Sequence, residues 1–136
     1  MSIKIDSDSL KLISYFEMLT HAKVKDLIPE ENKVTFIIET GDMGKAIGKN
    51  GANIKKLEFR LHKKVRLVEF NPDISIFLRN MLYPLDVQVT NENGIATIHA
   101  KDSTTRAMAI GRERQNIRHL LEISKRYFDL KEIKAN

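Results

Sequence analysis

Two glycines three residues apart, set among lysines, are the residues of this chain that best suit the binding of a ligand. Gly48 and Gly51 lie within 44–56, which reads GKAIGKNGANIKK, between two short segments with apolar helical faces. Glycine inside helical sequence costs about 1 kcal/mol relative to alanine, so a turn built on it needs a reason. Glycine lets the backbone approach a ligand closely, and the start of the next helix offers unpaired N–H groups. This combination suits the binding of phosphate groups.

The side chains around the turn have separate expected roles. Lys49 and Asn50 at its tip would contact phosphate and sugar, while Ile47 and Ile54 would form an apolar floor for bases. Three flanking lysines would add salt-sensitive attraction: Lys45, Lys55 and Lys56. Each role has an ordinary alternative, because a lysine can simply be solvated and Ile54 is also a good core residue.

Positive charge is concentrated in two blocks. Residues 41–66 carry eight basic and two acidic side chains, and residues 101–126 carry seven and three, within a chain of net charge +5. The remaining segments are neutral or negative. Focused positive charge attracts polyanions and speeds their encounter. A solvated lysine-rich helix face would explain one block, but two at matching places favour a polyanion partner.

The second block repeats the first at an offset of 63 residues. Gly48 aligns with Gly111, and Ile54 aligns with Ile117. The same reasoning gives a second set of candidate contacts, with the isoleucines as floor: Ile110, Gly111, Arg112, Arg114, Ile117 and Arg118. Arg118 has an alternative partner in Glu122, four residues later on the same helix.

The second turn lacks the closing glycine, because Arg114 stands where the first turn has Gly51. A left-handed backbone at an arginine would cost on the order of 1–2 kcal/mol. We therefore expect this turn to have a different shape and to use arginine forks for phosphate contact. Glu113 puts a negative charge in the path of the ligand.

Hydrophobic periodicity gives the elements that must position both turns. The predicted elements of the first copy are a helix capped at 6–8, strands at 22–28 and 33–40, a short helix at 43–48, a longer helix at about 51–62 and a strand at 65–70. Those of the second are a helix capped at Asn71 and ended by Tyr83-Pro84, strands at 86–89 and 95–100 around Asn93-Gly94, helices from about 104 to 111 and on to 125, and a strand at roughly 128–133.

Each copy therefore has the order α-β-β-α-α-β and forms an α+β unit in which a three-stranded sheet is packed with helices. The units span 1–70 and 71–136. About 65 residues fold only marginally alone. The connection between the units is short, so we expect them to pack together.

Catalytic and metal-binding constellations are missing from the sequence. There is no cysteine, and the four histidines are scattered without metal-ligand spacing. No Walker loop or nucleophile turn is present. We expect no enzyme, no cofactor and no bound metal. The sequence shows no signal peptide or membrane-spanning run, which predicts a cytoplasmic protein without a membrane partner.

The order of elements resembles the type II KH fold, in which a GxxG loop clamps about four nucleotides of a single strand. The segment 41–58 (GDMGKAIGKNGANIKKLE) resembles the first KH domain of short archaeal NusA-like proteins, and 109–120 (AIGRERQNIRHL) resembles the second KH domain of NusA. The resemblance covers essentially the whole chain. It implies tandem KH domains, the first with an intact GxxG loop and the second with a variant GRER loop. It further implies a protein that binds single-stranded RNA in transcription elongation, termination or antitermination.

Several partners remain open at this point. RNA polymerase is one, although the polymerase-binding and S1 domains of bacterial NusA have no counterpart here. The altered second turn favours an alternative, a module that binds proteins of the transcription or ribosomal machinery and nucleic acid only weakly. Single-stranded DNA is a third option, since nothing in the sequence reads the 2′-OH. Aromatic residues make up 7% of the chain, which disfavours a broad stacking platform.

Overall fold

The computed structural model describes residues 7–136, so the predicted cap at Asp6 lies outside the described residues. The chain divides into two compact units, one ending at Asn71 and the other beginning at Pro72. Both are mixed α+β, and each contains one three-stranded sheet. None of the helices within 7–136 combines the length and the apolar character needed to cross a lipid bilayer.

The first unit has the predicted order of elements. These are α1 (Ser7–Thr20), β1 (Val24–Pro29), β2 (Lys33–Ile38), α2 (Met43–Ile47), a 3-10 turn (Lys49–Gly51), α3 (Ala52–Leu61) and β3 (Lys64–Glu69). Strand β2 is central, antiparallel to β1 and parallel to β3. The parallel pairing requires a crossover, which α2 and α3 provide.

The core of the first unit fixes α2 and α3 against the sheet. The rings of Phe16 on α1 and Phe36 on β2 meet edge to face, with their centroids 4.3 Å apart. Ala46 of α2 and Leu57 of α3 are fully buried in the same cluster, and Ile54 packs against it. Both sides of the turn at 48–51 are therefore anchored by apolar contacts.

The second unit repeats the arrangement. Its elements are α4 (Ile74–Leu82), β4 (Val87–Glu92), β5 (Ile95–Ala100), α5 (Ser103–Ile110), a 3-10 turn (Arg112–Arg114), α6 (Gln115–Ser124) and β6 (Glu132–Ala135). Strand β5 is central, antiparallel to β4 and parallel to β6. The hairpin turn falls at Asn93-Gly94 as predicted, and both residues have positive φ.

Three boundaries in this unit differ from the sequence-based prediction. Strand β4 runs to Glu92, three residues beyond its predicted end at 89. Helix α4 is capped by Asp73 rather than Asn71, and the Asp73 side chain accepts a hydrogen bond from the Ser75 N–H at 2.9 Å. Asparagine and aspartate are comparable caps, so their order of preference could not decide between the two positions.

The last strand begins at Glu132, several residues later than predicted. Seven residues separate α6 from β6, whereas two separate α3 from β3. The added residues continue the chain in turns beyond α6, where the N–H groups of Tyr127 and Phe128 both donate to the Ser124 carbonyl. Their rings pack on Phe77 of α4, with centroid distances of 5.7 and 5.6 Å. This aromatic contact uses residues that the repeat alignment had assigned to the strand.

Candidate functional site

The turn between α2 and α3 has a backbone path that depends on glycine. Gly48 has φ 74° and ψ 172°, a region open almost only to glycine. Asn50 (φ 57°) and Gly51 (φ 72°) follow in the left-handed region, and the Gly51 N–H donates to the Gly48 carbonyl at 3.3 Å. Helix α3 then begins at Ala52 without a side-chain cap. The Ala52 N–H nevertheless donates to the Lys49 carbonyl, so the expected unpaired N–H is not found at this residue.

The second turn has the same shape. Gly111 has φ 78° and ψ 167°, Glu113 has φ 53°, and Arg114 has φ 61° and ψ 20° where Gly51 has φ 72° and ψ 19°. The Arg114 N–H donates to the Gly111 carbonyl at 3.1 Å. The prediction of a different shape for this turn was therefore wrong. An arginine occupies the left-handed position despite its steric cost.

An asparagine stands at the same place on the helix that follows each turn, and its side chain bonds to a carbonyl near the end of the preceding helix. The Asn53 Nδ2 donates to the Lys45 carbonyl at 3.1 Å, and the Asn116 Nδ2 donates to the Ala109 carbonyl at 2.9 Å. Each asparagine thus ties the start of one helix to the end of the previous one. This bond satisfies a carbonyl at the helix end, where no intrahelical donor exists.

The tie also requires the first glycine of each turn. A Cβ atom at Gly48 would lie 2.7 Å from the Asn53 Nδ2, and one at Gly111 would lie 2.8 Å from the Asn116 Cβ. Glycine and asparagine therefore act as a pair five residues apart. Sequence reasoning assigned no role to Asn53 or Asn116, although the identical Gly-x4-Asn spacing in both copies was a usable signal.

The predicted contact residues differ in how much surface they offer. The charged and amide side chains are all exposed: Lys45, Lys49, Asn50, Lys55, Lys56, Arg112, Arg114 and Arg118. The glycines and three of the isoleucines are half-buried: Ile47, Gly48, Gly51, Ile54, Ile110 and Gly111. Ile117 is only 3% exposed, so it belongs to the core of the second unit.

Most of the positive charge around the turns is not neutralised by the chain itself. Lys45 lies 3.9 Å from an Asp42 carboxylate oxygen, which offsets part of its charge. Within 7–136, Lys49 and Lys56 have no ion-pair partner, and Arg118 forms no ion pair with Glu122. The same residues contain no group of side chains suited to holding a metal ion. The exposed chemistry is therefore cationic, and it surrounds turns that expose backbone.

Arg114→Gly is expected to raise the free energy of unfolding by about 1 kcal/mol, because glycine adopts the left-handed conformation without the steric cost of a Cβ. Chemical denaturation measures the change. Arg112→Gly is the matched control, since φ is not positive at Arg112 and glycine there gains nothing. The reciprocal Gly51→Arg should lower stability by a similar amount. A gain at both arginines, or at neither, would contradict the left-handed assignment.

Comparison with known proteins gives a consistent set of relatives. Residues 12–81 match the family model described as KH domain. A protein of Methanococcus vannielii is 32% identical over 99% of this chain and 80% of its own length. A protein of Halobacterium salinarum is 32% identical over 98% of both chains. Each carries the name "Probable transcription termination protein NusA".

A solved structure supports the fold. The crystal structure of APE1850 resembles this chain with a TM-score of 0.73 over 97% of its residues and 100% of that chain. Sequence identity is 24%, so this likeness concerns the fold alone.

Proposed function

Since this chain belongs to the KH-domain family, and within it to the archaeal NusA-like proteins, we propose that it binds single-stranded RNA through the turns at 48–51 and 111–114 and acts in transcription. We also propose that both units, 1–70 and 71–136, are type II KH domains. The observation that carries the proposal is the shared path of the two turns, each set in exposed cationic side chains. A KH domain uses a turn of this kind to clamp about four nucleotides.

In the first unit, the backbone and one lysine would hold the phosphates. Gly48 and Gly51 carry no side chain that would keep a phosphate away, and the start of α3, which no side chain caps, adds the positive end of a helix dipole. Lys49 adds a charge-assisted contact, and Asn50 adds a hydrogen bond to sugar or phosphate. Lys45, Lys55 and Lys56 would contribute longer-range attraction, which salt weakens.

Bases would lie on the apolar side of the same turn. Ile47 and Ile54 are half-buried, so each can anchor in the unit while keeping surface for a base. Ile110 has the same partial exposure in the second unit. Ile117 would support the floor from below rather than contact a base, because it is almost fully buried.

In the second unit, arginine side chains would replace part of the backbone contact. Arg112, Arg114 and Arg118 are exposed, and a guanidinium can grip phosphate through two parallel hydrogen bonds. Glu113 stands at the tip where the first turn has Asn50, and its charge opposes a phosphate there. We therefore propose that the second turn holds RNA more weakly than the first.

The role in transcription rests on the relatives. Proteins that match this chain over most of its length are named as probable transcription termination proteins. We propose that this protein acts on nascent RNA in elongation, termination or antitermination, with RNA polymerase as a further partner. Co-purification with polymerase that persists after nuclease treatment, together with weak RNA affinity at physiological salt, would instead support the protein-binding alternative.

Binding of fluorescent single-stranded RNA, single-stranded DNA and duplex RNA tests the proposal, with anisotropy measured at 50 and 200 mM salt. Single-stranded RNA should bind most tightly of the three. With about four phosphates held and a slope near −0.7 for each, the fourfold rise in salt should weaken binding roughly 50-fold. Preference for duplex RNA would contradict the proposal, because a KH domain holds unpaired bases. Equal binding of single-stranded DNA would broaden the ligand to both nucleic acids.

A further inference from the structure

The outer face of α3 carries an aromatic ring that the first unit does not cover. Phe59 is 82% exposed, more than any other large hydrophobic residue among those described. Successive helix residues are rotated by about 100°, so Phe59 points nearly opposite to Leu57, which is fully buried. The ring therefore does not serve the core. Its only ring contact given by the structure is with His62, at a centroid distance of 6.4 Å.

The surroundings of Phe59 are cationic rather than apolar. Lys55 and Lys56 lie one helical turn before it on the same face, and both are exposed. Neither forms an ion pair within the described chain. Arg60 follows directly, and its guanidinium lies 4.7 Å from the centre of the Tyr15 ring. A protein-binding groove would surround an exposed ring with further apolar surface, whereas this ring is surrounded by unneutralised positive charge.

The position of Phe59 relative to the turn fits one more segment of a bound strand. Phe59 lies seven residues beyond Ala52, which is the first residue of α3. At 1.5 Å per residue this is about 10 Å along the helix axis. Lys55 and Lys56 lie between the two points, so positive charge continues along the face from the turn to the ring.

We propose that this face of α3 is an additional RNA-binding subsite, in which Phe59 stacks on a base just outside the segment held by the turn at 48–51. Besides their longer-range attraction, Lys55 and Lys56 contact the phosphates of the connecting nucleotides directly. Stacking on an aromatic ring tolerates any base, since every base presents a π-face. The subsite therefore adds affinity without sequence preference. This subsite rests on the proposed function, because it would hold a further part of the RNA strand that is bound by the turn at 48–51.

Oligonucleotides of two lengths separate the subsite from the turn. For a fluorescein-labelled tetra-adenylate, which the turn alone can hold, Phe59→Ala should leave affinity unchanged. For a dodeca-adenylate, the same variant should lose about fivefold to a hundredfold, which is the usual range for one stacked base. Phe59→Tyr keeps a stacking ring and should restore tight binding. Equal losses for both lengths, or none for the longer one, would overturn the subsite.

Tryptophan fluorescence gives a direct readout, because the chain contains no tryptophan. The tryptophan fluorescence of the Phe59→Trp variant should be quenched by the dodeca-adenylate and not by the tetra-adenylate. Met18→Trp is the matched control, since Met18 is another exposed apolar residue of the first unit, on α1, and is 68% exposed. Binding without quenching at position 59, or equal quenching at both positions, would refute the subsite and leave the proposed function standing. If the unmodified protein bound neither oligonucleotide, the proposed function itself would fail.

Discussion

Replacing Lys49 and Asn50 together by aspartate is expected to weaken single-stranded RNA binding by on the order of 100-fold while leaving the fold intact. The change removes one positive charge and adds two negative charges at the tip of the first turn. Each repulsive contact with a phosphate is worth about 1 kcal/mol at 4 Å in water and more beside a protein surface. Two such contacts, together with the loss of the attractive Lys49 contact, account for the expected loss. Anisotropy with a labelled dodeca-adenylate at constant salt measures it.

The fold should survive this double change for local reasons. Both side chains are exposed, and neither is part of the core. Asn50 has φ 57°, and aspartate is among the few residues that tolerate the left-handed region. Circular dichroism and the thermal midpoint should therefore match those of the parent.

A control of equal charge exists in the same unit, and circular dichroism must show that it folds, because its Lys33 is half-buried and lies 3.6 Å from a Glu30 carboxylate oxygen. Asn32 and Lys33 are the same two residue types in adjacent positions, where β2 begins after the preceding turn. Changing both to aspartate alters the net charge equally but away from the proposed site. Binding that fell as much in this control would show a general charge effect. Parent-like binding by the variant at positions 49 and 50 would show that the turn is not the binding site.

The position of the turns could be predicted from sequence because two independent signals coincide there. Glycine interrupts helical periodicity at Gly48 and Gly111, and cationic residues surround both. The element order followed from periodicity, since apolar residues recur at helical spacing on α3 and α6. Both signals depend on residues that are close together in the sequence, so no tertiary contact is needed to predict them.

The shape of the second turn could not be predicted by the same reasoning. The steric cost at Arg114 is a local penalty, but the Asn116 side chain and the buried faces of α5 and α6 on either side fix the path of the turn. Their combined contribution exceeds the cost at one residue. Likewise, the start of β6 depended on Tyr127 and Phe128 packing on Phe77, a contact distant in sequence. Tertiary contacts decided both features.

Alanine at the first glycine of each turn is expected to be strongly destabilising, and more so in the second unit. Gly48→Ala should lower the free energy of unfolding by about 2 kcal/mol and Gly111→Ala by about 3 kcal/mol, through backbone strain and steric overlap. At Gly48 the closest atom to the added Cβ is the side-chain Nδ2 of Asn53, at 2.7 Å. At Gly111 the backbone N of Asn116 lies at 2.9 Å, and backbone cannot move aside as a side chain can. Urea denaturation measures both changes.

A second substitution distinguishes the two overlaps. Combining Gly48→Ala with Asn53→Ala removes the atoms that collide, so the double variant should be more stable than the sum of the single effects by about 1 kcal/mol. Combining Gly111→Ala with Asn116→Ala should bring no such relief, because the Cβ and backbone N of residue 116 remain. Gly44→Ala is the control, since this helical glycine has open space and an ordinary φ and should gain up to about 1 kcal/mol. If the two double variants showed equal non-additivity in the free energy of unfolding, the asparagine side chain rather than the backbone would be what excludes a Cβ from both turns.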